Sequence, residues 1–332
     1  MHASTARPTI AHELGEFIEQ NGRWTAHNID LGDGVTTRGE RPIAESYGIR
    51  RVVQVVADHA RKPLDQLRVL DLGCGEGMYG IEFASHGARV VAIDGRAANI
   101  EKVRFVRDRL GLEKMELHVD DARNLSEAKY GRFDVVLCIG LLYHLEEEGV
   151  MNLLRSMALV CDDLCLIHTF VSTAPAMSFE WEGRTYSGRR FLEHVGNEDR
   201  ERALWASLDN VWSFWPTRPS MFNALADVGF TSVVACCNPS VSWQPSDNVT
   251  LIARRGTKVR TLVDPRMDTE PEWRRPERMR RLVAPGQMRF YTPLRWIASR
   301  TPRRVKDAVK IPLRGIVSKW LYWATPYEGH QK

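Results

Sequence analysis

Long hydrophobic runs are missing from this sequence. No stretch of about 18 consecutive apolar residues occurs in its 332 positions, so the sequence predicts no membrane-spanning helix. The first residues also lack the apolar segment of a secretory signal peptide, and we therefore expect a cytoplasmic protein. With 43% hydrophobic and 27% charged residues, the composition is that of an ordinary globular chain, long enough for one large domain or two small ones.

Cysteine is scarce, and its spacing suits neither disulfides nor zinc. The six cysteines include no Cys-x-x-Cys pair. Cys74, Cys138 and Cys165 fall in predicted strands or in a glycine loop. We expect small buried thiols at these positions.

The first three quarters of the chain have no excess of positive charge. The excess of Lys and Arg over Asp and Glu is concentrated at the end of the chain. Residues 254–332 contain 20 Lys and Arg against 7 Asp and Glu, whereas the rest of the chain is acidic. A nucleic-acid enzyme usually has a basic field around its active site, and the acidic body does not provide one. The tail is therefore predicted to fold back over the acidic core. A basic amphipathic helix at an anionic membrane surface is the second interpretation, and nucleic-acid binding through arginine and aromatic residues is the third.

What the sequence does contain is a strand–loop–helix–strand unit over residues 68–96. The apolar run Val69–Leu72 leads into the loop Gly73-Cys74-Gly75-Glu76-Gly77, as a buried parallel strand does. Glycine lets the chain turn sharply there and lets a ligand lie against the backbone. A helix then stops at Gly87, and a second apolar run ends at Asp94, an acid placed to accept two ribose hydroxyls.

Two nucleotide-binding families share this outline. Gly75-x-Gly77-x-x-Gly80 formally satisfies the dinucleotide fingerprint, but that motif places its first glycine at the strand end, which here is Gly73. The segment LDLGCGEG, with Asp71 two residues before Gly73, instead resembles motif I of the class I S-adenosylmethionine (SAM) methyltransferases. In that family the glycine loop passes under the methionine part of SAM, the motif I acid lies near its amino group, and the second acid holds the ribose.

The resemblance implies a SAM site built from several segments. After the third predicted strand, Asp121 and Ala122 match the family's adenine-binding acid and amide, with Asp120 as the alternate and a helix N-cap as the competing interpretation. The cofactor site predicted in this way comprises Asp71, Gly73, Cys74, Gly75, Gly77, Asp94, Gly95, Arg96, Asp121, Ala122, Ile139 and Tyr143.

The loop after the fourth predicted strand bears on the chemistry. It lacks the Pro-Pro box of enzymes that methylate exocyclic amines of bases, and it lacks a Pro-Cys nucleophile. It does contain His144, in a Gly-x-Leu-Tyr-His-Leu segment that resembles small-molecule methyltransferases. Imidazole titrates near neutrality and suits removal of a hydroxyl proton, so His144 is the predicted catalytic base. A histidine hydrogen-bonded under the cofactor is the alternative.

Substrate contacts are predicted from four further segments. The stretch around Trp24 and His27 resembles a segment that borders the cleft in some small-molecule and wobble-uridine methyltransferases; a surface hairpin anchored by Trp24 is the alternative. Tyr47 lies in the helix predicted from Ser46 to Ala60, which covers the SAM site in this fold. His168 is either a second base or ligand-binding group, or a hydrogen-bonded histidine at the sheet edge. Aromatic residues with carboxylates suit sugars, so the insertion 172–216, with Glu180, Trp181 and Tyr186, is predicted to form a substrate lid, or else a dimer contact.

The predicted fold is a doubly wound, mostly parallel seven-stranded α/β sheet of the Rossmann-like class I methyltransferase type. The predicted divisions are an N-terminal cap segment and helix at 1–60, the SAM-binding core at 61–255 with its lid insertion, and a basic, Trp-containing appendage at 256–332.

The predicted function is SAM-dependent O-methylation of a small polar acceptor, and the predicted acceptor is a saccharide. The chain resembles actinobacterial sugar O-methyltransferases, the group that includes mannoside 1-O-methyltransferases. Some sugar methyltransferases use Mg²⁺, for which Glu180 and Glu182 are candidate ligands without a metal-binding spacing. No nucleic-acid partner is expected, and a homodimer is. Two rival functions are a tRNA wobble-base methyltransferase or carboxymethyltransferase gripping RNA with the basic tail, and a non-catalytic SAM-binding subunit.

Overall fold

A computed structural model describes residues 9–39, 47–194, 206–236 and 247–257. The predictions made for the basic tail, for part of the insertion and for the side chain of Tyr47 lie outside these residues. The helices are α1 Ile10–Asn21, α2 Tyr47–His59, α3 Met78–Ser85, α4 Ala97–Leu110, α5 Glu127–Tyr130, α6 Glu147–Val160 and α7 Arg218–Asp227. The strands are β1 Arg68–Leu72, β2 Arg89–Asp94, β3 Met115–Val119, β4 Phe133–Ile139, β5 Cys161–Phe170, β6 Met177–Trp181, β7 Arg184–Leu192, β8 Trp212–Pro216, β9 Ser232–Ala235 and β10 Asn248–Arg254.

Seven of these strands form one sheet in the order β3-β2-β1-β4-β5-β10-β9. The pairs β3–β2, β2–β1, β1–β4 and β4–β5 are parallel, and β10 is antiparallel to both of its neighbours. The order reverses between β1 and β4, so the loops after these strands meet at one switch point, where open α/β sheets bind ligands. The predicted mostly parallel, seven-stranded Rossmann-like fold is confirmed.

The sheet separates two apolar cores because strand side chains alternate between its faces. On one face, Leu70 and Leu72 pack with residues of α6 and α7. On the other face, Val69 packs with residues of α2, α3 and α4. Asp71 shares the face of Val69 by the same alternation, and this places its carboxylate against α3.

The insertion between β5 and α7 builds a second, smaller sheet. Its strands pair antiparallel in the order β6-β7-β8. The sheet packs beside the loop that follows β4. There, three consecutive carbonyls, those of Tyr143, His144 and Leu145, accept hydrogen bonds from the insertion. The donors are the Trp215 indole at 3.1 Å, the Asn210 amide at 2.8 Å and the Phe214 backbone at 2.7 Å.

A buried carboxylate joins the N-terminal segment to the sheet. Glu76, in the loop after β1, accepts hydrogen bonds from the backbone N–H groups of Thr25, Ala26 and His27 at 2.7–2.9 Å. The fully buried Lys102 of α4 donates to the same carboxylate at 2.8 Å and to the Arg23 carbonyl at 2.7 Å. Burial alone would raise the pKa of Glu76, but the hydrogen bonds from Lys102 and the three amides outweigh it and lower the pKa. Glu76 is therefore a carboxylate, and it needs its ammonium partner.

Within the described ranges, the helices are all too short or too polar to cross a membrane.

Removing the ammonium of this pair should destabilise the fold. Lys102→Met leaves the Glu76 charge buried without its ion-pair partner, and we expect the free energy of unfolding to fall by about 3 kcal/mol. The matched control is Lys62→Met, which breaks a pair with Asp134 in which the lysine side chain is 52% exposed and should lose no more than about 1 kcal/mol. Urea unfolding of both variants checks this. Equal losses in the two variants would contradict the structural role of the buried pair.

Candidate active site

A cleft of about 320 Å³ opens at the carboxyl ends of β1, β2 and β4. This size falls at the lower end of the range for small-molecule sites. The predicted site residues that line it are Asp71, Gly73, Cys74, Gly75, Asp94, Gly95, Arg96, Asp121, Ala122, Ile139, Tyr143, His144 and His27. The structure thus brings together segments from five places in the sequence.

The glycine loop forms the floor of the cleft. Gly73, Gly75 and Gly77 have φ angles of +67°, +54° and +85°, which favour glycine over other residues. The backbone N–H groups of Gly73 and Cys74 both donate to the carbonyl of Ile93, at 2.8 and 3.0 Å. These bonds fold the loop across the end of β2. Gly77 does not line the cleft; it is the N-cap of α3 and lies against Val103.

Two buried carboxylates flank the loop. Asp71 accepts a 2.8 Å hydrogen bond from the Gly80 amide, and Asp94 accepts from the amides of Gly75 and Arg96 and from the Asn99 side chain at 2.9–3.0 Å. Burial raises the pKa of Asp71 to about 7, with a further contribution from the Asp94 charge. Burial also raises the pKa of Asp94, against the opposing effect of its three hydrogen bonds. A cationic ligand in the cleft would stabilise both carboxylates in their ionised form.

The loop after β3 closes one end of the cleft. The Asp121 carboxylate accepts from the backbone and side chain of Arg123, and Arg123 also donates to Asp209 at 2.7 Å. Asp121 therefore caps a short helical turn, as the alternative interpretation held, and lines the cleft as well. Asp120 accepts from Asn124, Lys129 and Tyr130 on the neighbouring turn.

His27 forms part of the wall above the glycine loop. Its Nδ1 accepts a hydrogen bond from the Met78 amide at the start of α3, at 3.3 Å, so the ring proton of the neutral form resides on Nε2. Burial lowers the pKa of His27, which keeps the ring neutral. The ring therefore presents a donor, and no positive charge, beside the glycine loop.

His144 stands at the other end of the cleft, in the short turn after β4. Its Nδ1 lies 2.9 Å from the Oε2 atom of Glu193, just beyond the end of β7. Burial alone would raise the pKa of Glu193, but its hydrogen bonds to His144 and to the Ser207 backbone contribute to lowering it. An ionised Glu193 accepts a hydrogen bond from Nδ1–H, so in that tautomer the Nε2 lone pair of His144 is left to accept another proton.

Several predicted substrate residues lie away from the cleft. Trp24 is buried between α1 and α4, where its ring contacts Phe17 and Phe105, so the structure places it as an anchor. The His168 ring shares a 2.9 Å hydrogen bond with Thr250, and burial together with Arg51 lowers its pKa to about 4, so this histidine is neutral at the sheet edge.

The predicted lid residues of β6 and β7 also do not line the cleft. Tyr186 is buried and donates to Asp227 of α7 at 2.6 Å, and the Trp181 ring lies under the guanidinium of Arg155 on α6. Glu180 is exposed on β6. Phe179, Trp181 and Tyr186 of these strands pack in the core that contains residues of α6 and α7. Residues 206–210, just before β8, line the cleft instead.

Three features of this site were not predicted individually from the sequence. They are Glu193, Glu76 and the segment 206–210, all of which contact cleft residues. Glu193 and the segment lie within the insertion 172–216 that was predicted to form a lid. Glu193 is 49 positions away from His144 in a region without a recognisable motif. For Glu76 there was a signal, because Lys102 falls among apolar residues on one side of α4, and a buried lysine requires an acidic partner.

The candidate Mg²⁺ site at Glu180 and Glu182 has no counterpart in the described part of the chain. No group of three or more His, Cys, Asp or Glu side chains in those ranges is arranged to hold a metal ion. Glu182, one of the two candidate ligands, pairs with Arg155.

The side chains of the cleft fit SAM. The glycine loop offers a backbone surface, Asp71 is a buried acid suited to an amino group, and Asp94 is an acid at the end of β2 suited to ribose hydroxyls. These residues and Asp121 are the ones that would hold the cofactor.

Comparison with known proteins agrees with this chemistry. Residues 69–163 match the family model described as "Methyltransferase domain". Magnesium-protoporphyrin O-methyltransferase of Rhodobacter capsulatus is 29% identical over 182 residues, which cover 53% of this chain and 77% of that protein. A ubiquinone biosynthesis O-methyltransferase of Methylocella silvestris is 39% identical over 89 residues, 26% of this chain and 33% of that protein. The match to a Rickettsia canadensis protein of the same name covers 57% of the length of that protein.

Among solved structures, the N-terminal domain of EvdMO1, crystallised with SAH and D-fucose, has a similar fold. Its TM-score is 0.59 at 23% identity, over 75% of this chain and 98% of that one. The chain therefore contains a methyltransferase domain in a Rossmann-like methyltransferase fold, and these matches support a SAM-dependent methyltransferase. The relatives that it matches in sequence are named as O-methyltransferases.

The buried Asp71 should give the ligand-free protein a specific pH dependence. Its pKa of about 7 lies above the value near 4 in an unfolded chain, so its contribution to stability is present below pH 4 and is lost as pH rises through 7. Asp71→Asn removes this titration. Between pH 5 and pH 8, we expect wild type to lose stability relative to the variant, by up to about 1.4 kcal/mol per pH unit within the window.

Urea unfolding at pH 5, 6, 7 and 8 without ligand measures this difference. Asp94 titrates in both proteins, so the difference reports the Asp71 titration together with its coupling to Asp94. Parallel stability curves for the two proteins would show that Asp71 is already ionised at pH 5.

Proposed function

We propose that the protein transfers the methyl group of SAM to a hydroxyl of a saccharide, with His144 as the general base. The observation that carries this proposal is the His144–Glu193 pair, whose Nδ1 and Oε2 atoms are 2.9 Å apart. The pair lies at one end of the cleft, and the glycine loop lies at the other. A hydroxyl must lose its proton as it is methylated, and a neutral imidazole with a free Nε2 lone pair is suited to accept it.

Each residue of the pair has a distinct part in this mechanism. SAM, when bound, supplies an already activated methyl group and leaves as S-adenosylhomocysteine. The acceptor oxygen forms the bond to the methyl carbon, and its proton passes to Nε2 of His144. Glu193 accepts the hydrogen bond from Nδ1–H, which orients the ring, and its charge stabilises the imidazolium that results.

Residues next to the pair support a sugar acceptor. The rings of Tyr143, Phe170 and Trp215 contact one another at centroid distances of 4.8–6.4 Å, and Tyr143 also packs 4.3 Å from His144. Arg189 lies over the Trp215 ring and 3.8 Å from Asp247. Of these residues, Tyr143 lines the cleft beside His144, and its apolar ring suits the CH groups of a saccharide. The buried Trp215 supports Tyr143 from behind. A sugar, D-fucose, is also named with the EvdMO1 domain.

The mannoside acceptor that the sequence suggested has no counterpart in the names of the relatives described above, and it stays a prediction. For this reason, the test uses a range of acceptors.

Transfer of labelled methyl from SAM tests the proposal. The acceptor pools are neutral mono- and disaccharides, short manno-oligosaccharides and total tRNA, each with wild type, His144→Ala, Glu193→Gln and the control His118→Ala. We expect label in a sugar pool. The His144 variant should lower kcat by about 10²- to 10⁴-fold. The Glu193 variant should lose less, because it misorients the base without removing it.

His118 lies on β3 with a side chain that is 41% exposed, so its variant should behave like wild type. Label in tRNA alone would refute the saccharide acceptor. Full activity of the His144 variant on a sugar would refute the assignment of the base.

A further inference from the structure

A short segment before β8 lies against both ends of the active-site cleft. This segment, residues 206–210, is called the strap below. All five of its residues line the cleft. It contacts the loops on the cofactor side and also the pair of residues on the acceptor side.

On the cofactor side, three contacts hold the strap. Arg96 donates to the carbonyls of Ala206 and Ser207 at 3.3 and 3.1 Å. The Asp209 carboxylate accepts from Arg123 at 2.7 Å. Leu208 packs so closely on Gly95 that a Cβ there would lie 2.4 Å from the leucine side chain. The strap therefore rests on the residues that follow the two predicted ribose and adenine contacts, Asp94 and Asp121.

On the acceptor side, the strap contacts both members of the base pair. The Asn210 side chain donates to the backbone carbonyl of His144 at 2.8 Å. The Ser207 backbone stabilises the ionised carboxylate of Glu193, and the Ser207 hydroxyl is hydrogen-bonded to His194, the residue after Glu193 in the chain. A displacement of the strap would thus move the backbone of His144 and change the surroundings of the Glu193 carboxylate.

We infer that the strap couples the cofactor cleft to the base, with Asp209 and Asn210 as positioning residues for the reaction. A ligand that orders the Asp94 and Asp121 loops holds the strap through Arg96 and Arg123, and the strap then holds His144 and Glu193 in hydrogen-bonding geometry. The importance of this geometry for catalysis rests on the proposed function, but the coupling itself can be measured without an acceptor.

The test follows the His144 Nδ1 proton by NMR in protein with isotope-labelled histidine. Its signal is assigned by its loss in His144→Gln. The probe ligand is S-adenosylhomocysteine. In wild type, we expect ligand binding to slow the exchange of this proton with water. In Asp209→Asn, the slowing should shrink by about two- to fivefold, the range for a partly exposed ion pair, and the ligand affinity should fall by a similar factor because coupling is reciprocal.

Two further variants separate this role from a general loss of structure. Asp209→Glu keeps the charge and should restore the ligand effect on His144. Asn210→Ala leaves the Arg123–Asp209 pair intact and cuts the other end of the strap, so it should also reduce the ligand effect. The matched control is Asp162→Asn, which breaks an aspartate–arginine pair with Arg132 outside the cleft and should change nothing.

An unchanged ligand effect in both Asp209→Asn and Asn210→Ala would overturn the inference, and so would a wild-type signal that does not respond to the ligand. If coupling is measured while no hydroxyl compound accepts a methyl group, the proposed function fails and the coupling stands. If sugars are methylated and the variants retain the full ligand effect, only the coupling fails.

Discussion

The buried carboxylate of Glu76 holds together parts of the protein that the sheet alone would not connect. It binds three successive backbone amides of the N-terminal segment and the ammonium of Lys102, and it is itself part of the glycine loop. A buried acid needs several donors, and these donors come from residues 25–27 and from α4. The position of His27 above the loop therefore depends on this cluster, as does the shape of the cleft floor.

The pKa values of four carboxylates near the cleft are shifted in different directions by their surroundings. Asp71 accepts a hydrogen bond from the Gly80 amide, and burial raises its pKa to about 7. Asp94 accepts three hydrogen bonds, which oppose the effect of burial, and burial still raises its pKa. Glu76 and Glu193 each have a basic side chain as partner, and their pKa values are lowered. The first two are suited to receive a cationic cofactor, whereas the last two are already satisfied by the protein and act on its own side chains.

Much of the fold could be predicted from residues 68–139, because local patterns specify it. Apolar strands that end in glycine or aspartate, separated by helices, predict a parallel sheet and place Asp71, Gly73 and Asp94 at one edge. Contacts between distant segments were not predictable in this way. Glu193 meets His144 only because β7 pairs with β8 and β8 packs on the loop after β4, and no local pattern encodes that packing. The aromatic residues of the insertion suggested a lid, but composition could not show which face of each strand they occupy.

The dependence of the base on the insertion also limits how the two parts can vary. The core provides His144 on a three-residue turn, which by itself leaves the carbonyls of residues 143–145 without strand partners. The insertion satisfies all three through Trp215, Asn210 and Phe214, and it adds the carboxylate of Glu193. The same strands carry Trp215, which packs against Tyr143 beside His144. A change in the insertion will therefore also shift His144 and Glu193. Under the proposed function, the choice of acceptor and the removal of its proton would then depend on one structural unit.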